Sequence, residues 1–303
     1  MKISVVVPVC NEEENILPLV EEIKKYLDEF EILFIDDGST DNTLLEIQQL
    51  SSTNPNIKCV SLSRNFGHQN ALMAGLQYAK GDIIITMDGD LQHPPSYIPS
   101  MIQKIMGGFD IVITKRIGTK NISAFKKAYS SLFYRFINSI SDTYVEPHGS
   151  DFRAFNRKVL NSVLLFSERE LFLRGIFSWI GFKTTTLNFT APERRYGKTK
   201  YSFSKMSRLA VKGITAFSFK PLRVAVLIGL VISLAAFAFG IFAMIAYFKG
   251  DTVPGWASTI IAIMMLGGTQ LLAIGLLGEY IASLFVETKN RPLYLVDKKI
   301  NID

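Results

Sequence analysis

Two aspartates separated by one glycine, Asp88 and Asp90, are the side chains of this chain best suited to chemistry. They follow an apolar, β-branched run that begins at Ile83 and predicts a buried strand. Ligands of open α/β sheets bind just beyond the carboxyl ends of strands, so both carboxylates are expected at a ligand site. With the amide oxygen of Gln92, they suit a hard divalent cation that also holds a diphosphate. A simple turn is the alternative, because Asp-Gly pairs are common turn formers.

Two other predicted strands also end in polar and acidic side chains. Ile3–Val9 leads into Asn11 and Glu12, and Glu31–Ile35 leads into Asp37. Carboxylates at these ends could hydrogen-bond a base edge and ribose hydroxyls, while the third end holds a metal on the diphosphate. Capping or turn formation could explain Glu12 or Asp37 individually. Three such ends in chain order are hard to assign to capping alone.

The elements that must position these side chains alternate along the first 115 residues. Strands are predicted at Ile3–Val9, Glu31–Ile35, Lys58–Ser63, Asp82–Met87 and Asp110–Thr114. Helices are predicted at Glu13–Tyr26, Thr43–Gln49, Gln69–Ala79 and Pro95–Met106. This alternation predicts an α/β fold with right-handed βαβ units around a mainly parallel sheet. The acidic strand ends then share one edge of that sheet.

Two long apolar stretches, Leu222–Phe248 and Ala257–Val286, lie near the C-terminus. Each is long enough to cross a hydrocarbon layer of about 30 Å. Buried core helices are the alternative, but two adjacent runs joined by the short polar segment Lys249–Trp256 favour a transmembrane hairpin. Glu279 lies within the second stretch, where an ionisable group is costly and often functional; a position near the interface is its alternative.

Basic residues flank the hairpin on the side of both chain ends. They are Lys205, Arg208, Lys212, Lys220 and Arg223 before it, and Lys289, Arg291, Lys298 and Lys299 after it. The connecting loop offers only Lys249. The positive-inside rule therefore predicts an inner-membrane protein with both termini and the N-terminal domain in the cytoplasm. No signal peptide is expected, because the N-terminus leads directly into a strand.

Charge is strongly segregated along the chain. Residues 1–110 have 7 basic and 16 acidic side chains, whereas residues 111–223 have 21 basic and 6 acidic ones. The basic segment predicts a surface for anionic headgroups or a phosphorylated lipid. It also contains two candidate interfacial helices, Phe125–Ile137 and Ser202–Phe219; packing against the sheet edge is the alternative for the first. Nucleic acid is the competing partner, and the hairpin argues against it.

At this point the chain resembles the family 2 glycosyltransferases with a GT-A fold. More narrowly, it is similar to polyprenyl-phosphate glycosyltransferases such as bactoprenol glucosyltransferases and dolichol-phosphate mannose synthases. The matching segments are Val7–Glu13, Asp36–Asp41, Ser63–His68, Met87–Pro95, Arg195–Tyr201, Leu277–Ile281 and Arg291–Tyr294. The resemblance covers essentially the whole chain, because these segments are distributed from its start to its end. Two departures are Gly89, where alanine is usual, and Lys198-Thr199, where many members have Glu-Ser.

The resemblance implies roles for the matched side chains. The implied nucleotide-binding residues are Pro8, Asn11, Glu12, Asp37, Arg64 and Asp88. The implied ligands of Mg²⁺ or Mn²⁺ are Asp88, Asp90 and Gln92, and the catalytic candidates are Asp90 and Asp151. The candidates for the acceptor phosphate are Arg116, Arg135, Arg195 and Lys200. Arginine suits phosphate because its planar fork binds two oxygens, although a solvated or lipid-facing role remains open for each one.

The reaction implied is one in-line displacement at the anomeric carbon, with inversion. A hexose would pass from a nucleotide sugar, with UDP-glucose expected, to undecaprenyl (polyprenyl) phosphate, and the metal would neutralise the departing diphosphate. That acceptor is mostly ionised near neutral pH, because its second pKa is about 6, so Asp151 need not be a base. A salt bridge to Arg153 or Arg157 is the alternative for Asp151. His68 and His93 are weaker metal candidates, because oxygen ligands suit the expected ion better.

The predicted organisation has six parts. They are a cytoplasmic GT-A domain (1–200), a juxtamembrane amphipathic helix (201–220), a first span (221–248), an extracytoplasmic loop (249–256), a second span (257–286) and a cytoplasmic tail (287–303). The resemblance also implies a homotetramer. Cys10 and Cys59 lack metal-ligand spacing and are expected to be reduced core thiols.

Three alternative functions stay open. GDP-mannose, UDP-N-acetylhexosamine or UDP-aminoarabinose could replace UDP-glucose, because the enzymes that use them share these motifs. A polysaccharide synthase is disfavoured, because the chain has no Gln-x-x-Arg-Trp segment and two spans are too few to form a channel. A non-catalytic membrane scaffold is disfavoured by the intact Asp37, Asp88 and Asp90.

Overall fold

The computed structural model describes residues 1–117, 149–169, 171–190, 192, 220–249 and 255–302. Its strands are β1 (Ile3–Val9), β2 (Phe30–Asp36), β3 (Ile57–Leu62), β4 (Ile83–Thr86), β5 (Ile111–Ile117), β6 (Gly149–Asn156), β7 (Thr184–Thr190) and β8 (Val296–Ile300). Its helices are α1 (Glu13–Lys24), α2 (Thr43–Thr53), α3 (His68–Tyr78), α4 (Ile98–Met106), α5 (Arg157–Val163), α6 (Leu173–Trp179), α7 (Lys220–Phe248) and α8 (Trp256–Thr288), with a 3₁₀ turn at Pro95–Tyr97. The strands form one sheet in the order β7-β5-β6-β4-β1-β2-β3-β8.

The centre of the sheet is parallel, as predicted. β1 pairs in parallel with both β2 and β4, and β2 pairs in parallel with β3. Every residue of β1, β2 and β4 is buried, because hydrophobic clusters cover both faces of the sheet. Strands buried on both faces are continuous apolar runs, which is why their sequences identified them.

The outer strands differ from the prediction. β5 does not join the parallel centre, because β6 lies between β5 and β4 and pairs antiparallel with both. β7 then pairs in parallel with β5. β8 pairs antiparallel with β3, although it belongs to the segment 287–303 that sequence analysis assigned to a tail. The sequence analysis predicted none of β6, β7 and β8.

The two apolar stretches form long helices, α7 and α8. Their segments Leu222–Phe242 and Ile261–Thr288 are long and apolar enough to cross a membrane, and neither is buried inside the protein. The large side chains are exposed: Phe237 has 71% and Leu272 78% of its surface accessible. A core helix of a soluble protein would instead bury one apolar stripe. The exposure therefore favours membrane association over the core-helix alternative.

A buried carboxylate at the opposite end of the sheet centre gives a pH-dependent prediction. Glu31 contacts Lys58 Nζ at 2.8 Å and accepts the Lys80 N–H at 2.7 Å and the Ser4 hydroxyl. Burial alone would raise its pKa, but the hydrogen bonds from Lys58, Ser4 and Lys80 lower that pKa to about 2. The carboxylate therefore stabilises the fold above its ordinary pKa of 4.5, and this contribution is lost as pH falls towards 2.

We expect Glu31→Gln to lower the free energy of unfolding by about 3 kcal/mol at pH 7. The deficit should shrink between pH 5 and pH 2, and thermal unfolding in detergent micelles across that range measures it. Glu29→Gln is the matched control, because Glu29 is exposed. A Glu31→Gln deficit that stays constant with pH would contradict the assignment.

Candidate active site

The acidic strand ends meet at one edge of the sheet, as the sequence predicts. β4, β1 and β2 are neighbours, with Val6 paired to Thr86 and Val9 paired to Asp36. Backbone hydrogen bonds continue this pairing past the strand ends, from the Met87 N–H to Val6 O at 3.1 Å and from the Asp37 N–H to Val9 O at 2.9 Å. The loops after all three strands are therefore adjacent, at the edge where open α/β sheets bind ligands.

Asp37 joins the end of β2 to the loop after β3. Its carboxylate accepts the Phe66 N–H at 2.7 Å and the Gly67 N–H at 3.0 Å, and the residue is 4% exposed. Burial raises the pKa of Asp37, and the two backbone hydrogen bonds offset only part of that effect. Each oxygen keeps a second lone pair, so the carboxylate can still accept from a ligand.

The loop after β1 is held against the loop after β2. The Asn11 side chain accepts the Thr40 N–H at 2.8 Å, and the Asn11 N–H donates to Ser39 Oγ at 3.0 Å. Asn11 has a positive φ of 54°, which asparagine tolerates better than most residues. Glu12 accepts the Asn15 side-chain amide at 2.6 Å. Pro8 is buried within β1.

Gly38 allows the loops after β2 and β3 to approach closely. Its φ is +65°, and a Cβ at this position would lie 2.5 Å from the carbonyl carbon of Arg64 and 2.6 Å from Asn65 N. A side chain there would add strain to the backbone and push the Arg64 backbone away. Close packing beside Asp37 therefore requires glycine.

We expect Gly38→Ala to destabilise the protein by about 2–4 kcal/mol, from left-handed backbone strain plus overpacking. The matched control is Gly108→Ala, because Gly108 also has a positive φ, +89°, but nothing lies within 4 Å of its Cβ position. Thermal unfolding should show a clearly larger loss for Gly38→Ala. Equal losses would mean that the close approach to Arg64 is unimportant.

The loop after β4 brings Asp88, Asp90, Gln92 and Arg116 together. Asp90 Oδ1 accepts the Gln92 N–H at 3.1 Å, and Gln92 Oε1 accepts from Arg116 Nη1 at 3.2 Å. Leu91 adopts a left-handed φ of 60°, which turns the chain sharply between them. Three predicted metal ligands thus lie in the loop after β4, and one of them, Gln92, contacts the predicted phosphate-binding Arg116 of β5.

One oxygen of this cluster lacks a hydrogen-bond partner. Asp88 Oδ1 is buried, and no donor among the described residues bonds to it; His68 Nε2 is the nearest cation, at 3.6 Å. An unsatisfied buried carboxylate oxygen is costly, and a hard cation would satisfy it. The described residues contain no group of three or more His, Cys, Asp or Glu side chains suited to a metal. Mg²⁺ can be held by one or two carboxylates plus substrate phosphates, so Asp88 and Asp90 fit such an ion.

His93 has a structural role, because both of its ring nitrogens contact other residues of the protein. Its Nδ1 accepts the Asp88 N–H at 2.9 Å, so the proton of the neutral ring lies on Nε2, which faces Ser150 Oγ at 2.6 Å. The ring is buried and stacks on Phe152, with ring centroids 5.2 Å apart. Both ring nitrogens are thus occupied, and His93 fixes the backbone that presents Asp88.

Asp151 is enclosed by cations. Arg174 binds it through two hydrogen bonds, Nε to Oδ1 at 3.0 Å and Nη2 to Oδ2 at 2.9 Å, while Arg153 Nη2 lies 3.5 Å from Oδ1. Burial disfavours the carboxylate, but the charge of Arg174 and the hydrogen bonds from His68 and Arg174 hold the pKa of Asp151 well below its usual range. Arg157, the other predicted partner, instead donates to backbone oxygens of Ala79 and Gly81.

His68 lies between the two carboxylate groups of the site. Its Nε2 is 3.6 Å from Asp151 Oδ2 and 3.6 Å from Asp88 Oδ1. Burial opposes the charged ring, but the nearby carboxylates of Asp151 and Asp88 raise the pKa of His68 to about 9. The arrangement therefore favours the protonated ring, in which Nε2 carries a proton and has no lone pair for a metal.

Several predictions lie outside the described residues. Arg135, Arg195 and Lys200 are among them, as are the candidate interfacial helices Phe125–Ile137 and Ser202–Phe219. The sequence analysis missed Arg174 and Ser150. Arg174 is 23 residues from Asp151 in the chain and belongs to none of the matched segments, so no pattern pointed to it.

Comparison with known proteins agrees with this geometry. Residues 4–164 match the family described as glycosyl transferase family 2, and residues 220–284 match a second one described as GtrB C-terminal hairpin. The chain is 42% identical to a protein of Escherichia coli K12 named prophage bactoprenol glucosyl transferase homolog, over 98% of this chain and 99% of the relative. It is 41% identical to the SfII prophage-derived bactoprenol glucosyl transferase of Shigella flexneri, over 98% of each chain.

Similarity to solved structures supports the fold alone. A crystal structure described as that of a mycobacterial protein aligns with a TM-score of 0.50 at 19% identity, covering 71% of this chain and 72% of the other. The family match covers more than half of the chain, and the two curated relatives align along nearly all of it. The chain therefore belongs to glycosyl transferase family 2.

Proposed function

We propose that this glycosyltransferase moves glucose from UDP-glucose to undecaprenyl (polyprenyl) phosphate, with inversion at the anomeric carbon. The observation that carries the proposal is the combination in one chain of clustered strand-end carboxylates and two exposed apolar helices. A water-soluble activated sugar needs the first feature, and a lipid acceptor needs the second. Full-length relatives named bactoprenol glucosyl transferases support the choice of sugar and lipid.

The donor nucleotide is assigned to the loops after β1, β2 and β3. The proposed contacts are those that the sequence predicted: Pro8, Asn11, Glu12, Asp37, Arg64 and Asp88. The hydrogen bonds of Asn11 and Asp37 hold these loops together before any ligand binds. Such preorganisation lowers the ordering cost of binding.

The diphosphate is assigned to the loop after β4. Asp88, Asp90 and Gln92 would hold Mg²⁺ or Mn²⁺ there. The bound ion would neutralise the charge that develops on the departing nucleoside diphosphate. The unsatisfied Asp88 Oδ1 supports this assignment. Arg116, which contacts Gln92, would then lie close enough to orient a phosphate group.

Asp151 is proposed as a positioning residue rather than a base. Its two hydrogen bonds to Arg174 and its low pKa make it a poor proton acceptor. An ionised phosphate acceptor does not require one. Asp151 instead orients Arg174 and His68, and His68 Nε2 also lies 3.6 Å from the proposed metal ligand Asp88. Arg116, Arg135, Arg195 and Lys200 remain the proposed contacts of the acceptor phosphate.

The hairpin is proposed to cross the inner membrane twice, with the catalytic domain and both termini in the cytoplasm. The proposed division keeps the predicted bounds: 1–200, 201–220, 221–248, 249–256, 257–286 and 287–303. The pairing of β8 with β3 adds that the last segment returns to the catalytic sheet. The homotetramer remains a prediction.

Transfer by purified protein tests the proposal. The full chain in detergent would be incubated with undecaprenyl phosphate, Mg²⁺ or Mn²⁺, and one of four radiolabelled donors: UDP-glucose, GDP-mannose, UDP-N-acetylglucosamine or UDP-aminoarabinose. We expect label in the lipid extract with UDP-glucose. Label with another donor alone would correct the sugar, and no label with any donor would refute the proposal.

A further inference from the structure

A second cationic site lies where α8 meets the catalytic domain. It is a cavity of about 360 Å³, here called the membrane-edge pocket. Four cationic side chains of the described residues line it: Arg64, Arg169, Lys289 and Arg291. Its apolar wall includes Phe285, Val286 and Leu293. Arg64 is also a proposed nucleotide contact. Asp37, Asp88, Asp90 and the acceptor candidate Arg116 are not among the described residues that line the pocket.

The described residues form no ion pairs with the cations of the membrane-edge pocket. The Arg169 guanidinium donates to the Asn290 side chain, Arg64 lies over the Phe66 ring at 4.4 Å, and Lys289 Nζ lies over the Phe285 ring at 4.0 Å. Within the described ranges, no ion pair joins the four side chains to a carboxylate. Two acids lie nearby: Glu287 accepts the Arg169 backbone N–H at 2.7 Å, and burial together with the charge of Glu287 raises the pKa of the neighbouring Glu168. Among the described residues, the four cations outnumber these two acids.

The position of the pocket relates it to the bilayer surface. The apolar span of α8 ends at Thr288, so Phe285 and Val286 are in its last turn and Lys289 and Arg291 follow directly. The following chain is fixed to the catalytic domain, because the Ser63 N–H donates to Leu295 O at 2.9 Å and β8 pairs with β3. The pocket thus has apolar walls at the end of a span and cations just beyond it. Headgroup phosphates lie at that level of a bilayer.

We propose that the membrane-edge pocket binds the phosphate of an anionic phospholipid of the membrane, which is distinct from the acceptor. Arginine forks and a lysine ammonium bind the phosphate oxygens, while the first acyl carbons contact Phe285 and Val286. The bound lipid stabilises the junction between α8 and the loop after β3, the loop that also binds Asp37. The inference rests on the proposed membrane topology but does not require transferase activity.

Ligand-induced shifts of thermal unfolding test the pocket. The full chain in neutral detergent would be titrated with dioctanoyl phosphatidylglycerol, dioctanoyl phosphatidylcholine, inorganic phosphate, or UDP together with Mn²⁺, without a sugar donor. Phosphatidylglycerol should raise the unfolding temperature, whereas phosphatidylcholine and inorganic phosphate at equal concentration should not. An equal shift with phosphate or with phosphatidylcholine would overturn the assignment to an anionic lipid.

The double variant Lys289→Gln/Arg291→Gln tests the residues. At about 1 kcal/mol per surface cation, its affinity for phosphatidylglycerol should fall about 30-fold. The control Lys24→Gln/Lys298→Gln removes the same charge from exposed positions outside the pocket and should keep wild-type affinity. Retained stabilisation by UDP shows that the variant is folded. If the double variant does not fold, the single variant Arg291→Gln is used instead. Its affinity for phosphatidylglycerol should be about 5-fold lower than that of the wild type.

Two results would overturn the proposal. In one, phosphatidylglycerol stabilises the pocket variants and the wild type equally. In the other, the pocket variants lose stabilisation by UDP but keep that by phosphatidylglycerol, which would make the pocket part of the nucleotide site. Failure of the transferase assay with intact phosphatidylglycerol binding would refute the proposed function and leave this site standing.

Discussion

Replacing Asp90 with alanine should lower the transfer rate on the order of 1,000-fold, the cost expected when electrostatic stabilisation of a departing group is lost. Asp90 contributes one of the two carboxylates that fit a divalent cation, and its Oδ1 also fixes the loop through the Gln92 N–H. The affinity for Mg²⁺ or Mn²⁺ should fall together with the rate. Metal titration of initial rates measures both quantities.

Asp28→Ala is the control for this prediction, because Asp28 is exposed and lies in the loop between α1 and β2, away from the site. A folded Asp90→Ala protein is recognised by an unfolding temperature close to that of the wild type. Transfer within tenfold of the wild-type rate by such a protein would remove Asp90 from the metal site. Asp88 would then have to act without it.

Exchanging Asp151 for asparagine should lower transfer on the order of 100-fold and destabilise the protein by about 3–5 kcal/mol. The change leaves the buried Arg153 and the bound Arg174 without their counter-charge, and removing one partner of a buried ion pair has a cost of this size. If Asp151 positions Arg174, then Arg174→Gln should cause a similar loss of rate. The double variant should be little worse than either single one, because the two residues act as one unit.

The pH dependence of the rate separates this role from general base catalysis. A general base would give the wild-type profile an acidic limb that Asp151→Asn removes. A positioning residue gives no such limb, so Asp151→Asn should change the profile only through His68, whose pKa falls when the charge of Asp151 is lost. Activity of Arg174→Gln near the wild-type level, together with an inactive Asp151→Asn, would contradict the positioning role. It would return Asp151 to the list of candidate bases.

The sequence predicted the centre of the fold well, for a physical reason. β1, β2 and β4 are buried on both faces, so they are uninterrupted β-branched and apolar runs. Acids directly after such runs must lie at the sheet edge, and the structure places Asp37 and Asp88 there. The apolar helices α7 and α8 were predicted equally well from the sequence, because they are hydrophobic on all sides.

The strands outside the parallel centre could not be predicted in the same way. β8 has the sequence Val-Asp-Lys-Lys-Ile, and its three central residues are exposed charges on the outermost strand. Charges protect an edge strand from pairing with other molecules, but they also hide its hydrophobic periodicity. β6 mixes glycine, serine and charged residues, and it joins the sheet through pairing with β4 and β5 on both sides. That pairing depends on strands distant in the chain, so the local sequence of β6 does not reveal it.

The partners of the site residues also depend on tertiary structure. The sequence offered Arg153 and Arg157 for Asp151, because they are close in the chain, yet Arg174 makes the two hydrogen bonds. The sequence left His93 open as a metal ligand or a structural residue. Its hydrogen bonds with the Asp88 N–H and Ser150 show that its role is structural. The sequence motifs identified the site residues Asp151 and His93. Their contacts in the structure were needed to assign a role to each.

Metal-dependent binding of UDP to the purified full chain is the most direct test of the central claim, that strand-end carboxylates form a metal-assisted nucleotide-sugar site. Calorimetric titrations of UDP would be run with Mn²⁺, with Mg²⁺ and with chelator, on the wild type and on Asp88→Asn. We predict micromolar to millimolar binding that requires the metal and is lost in the variant. Equal binding with and without metal, or in both proteins, would contradict the account.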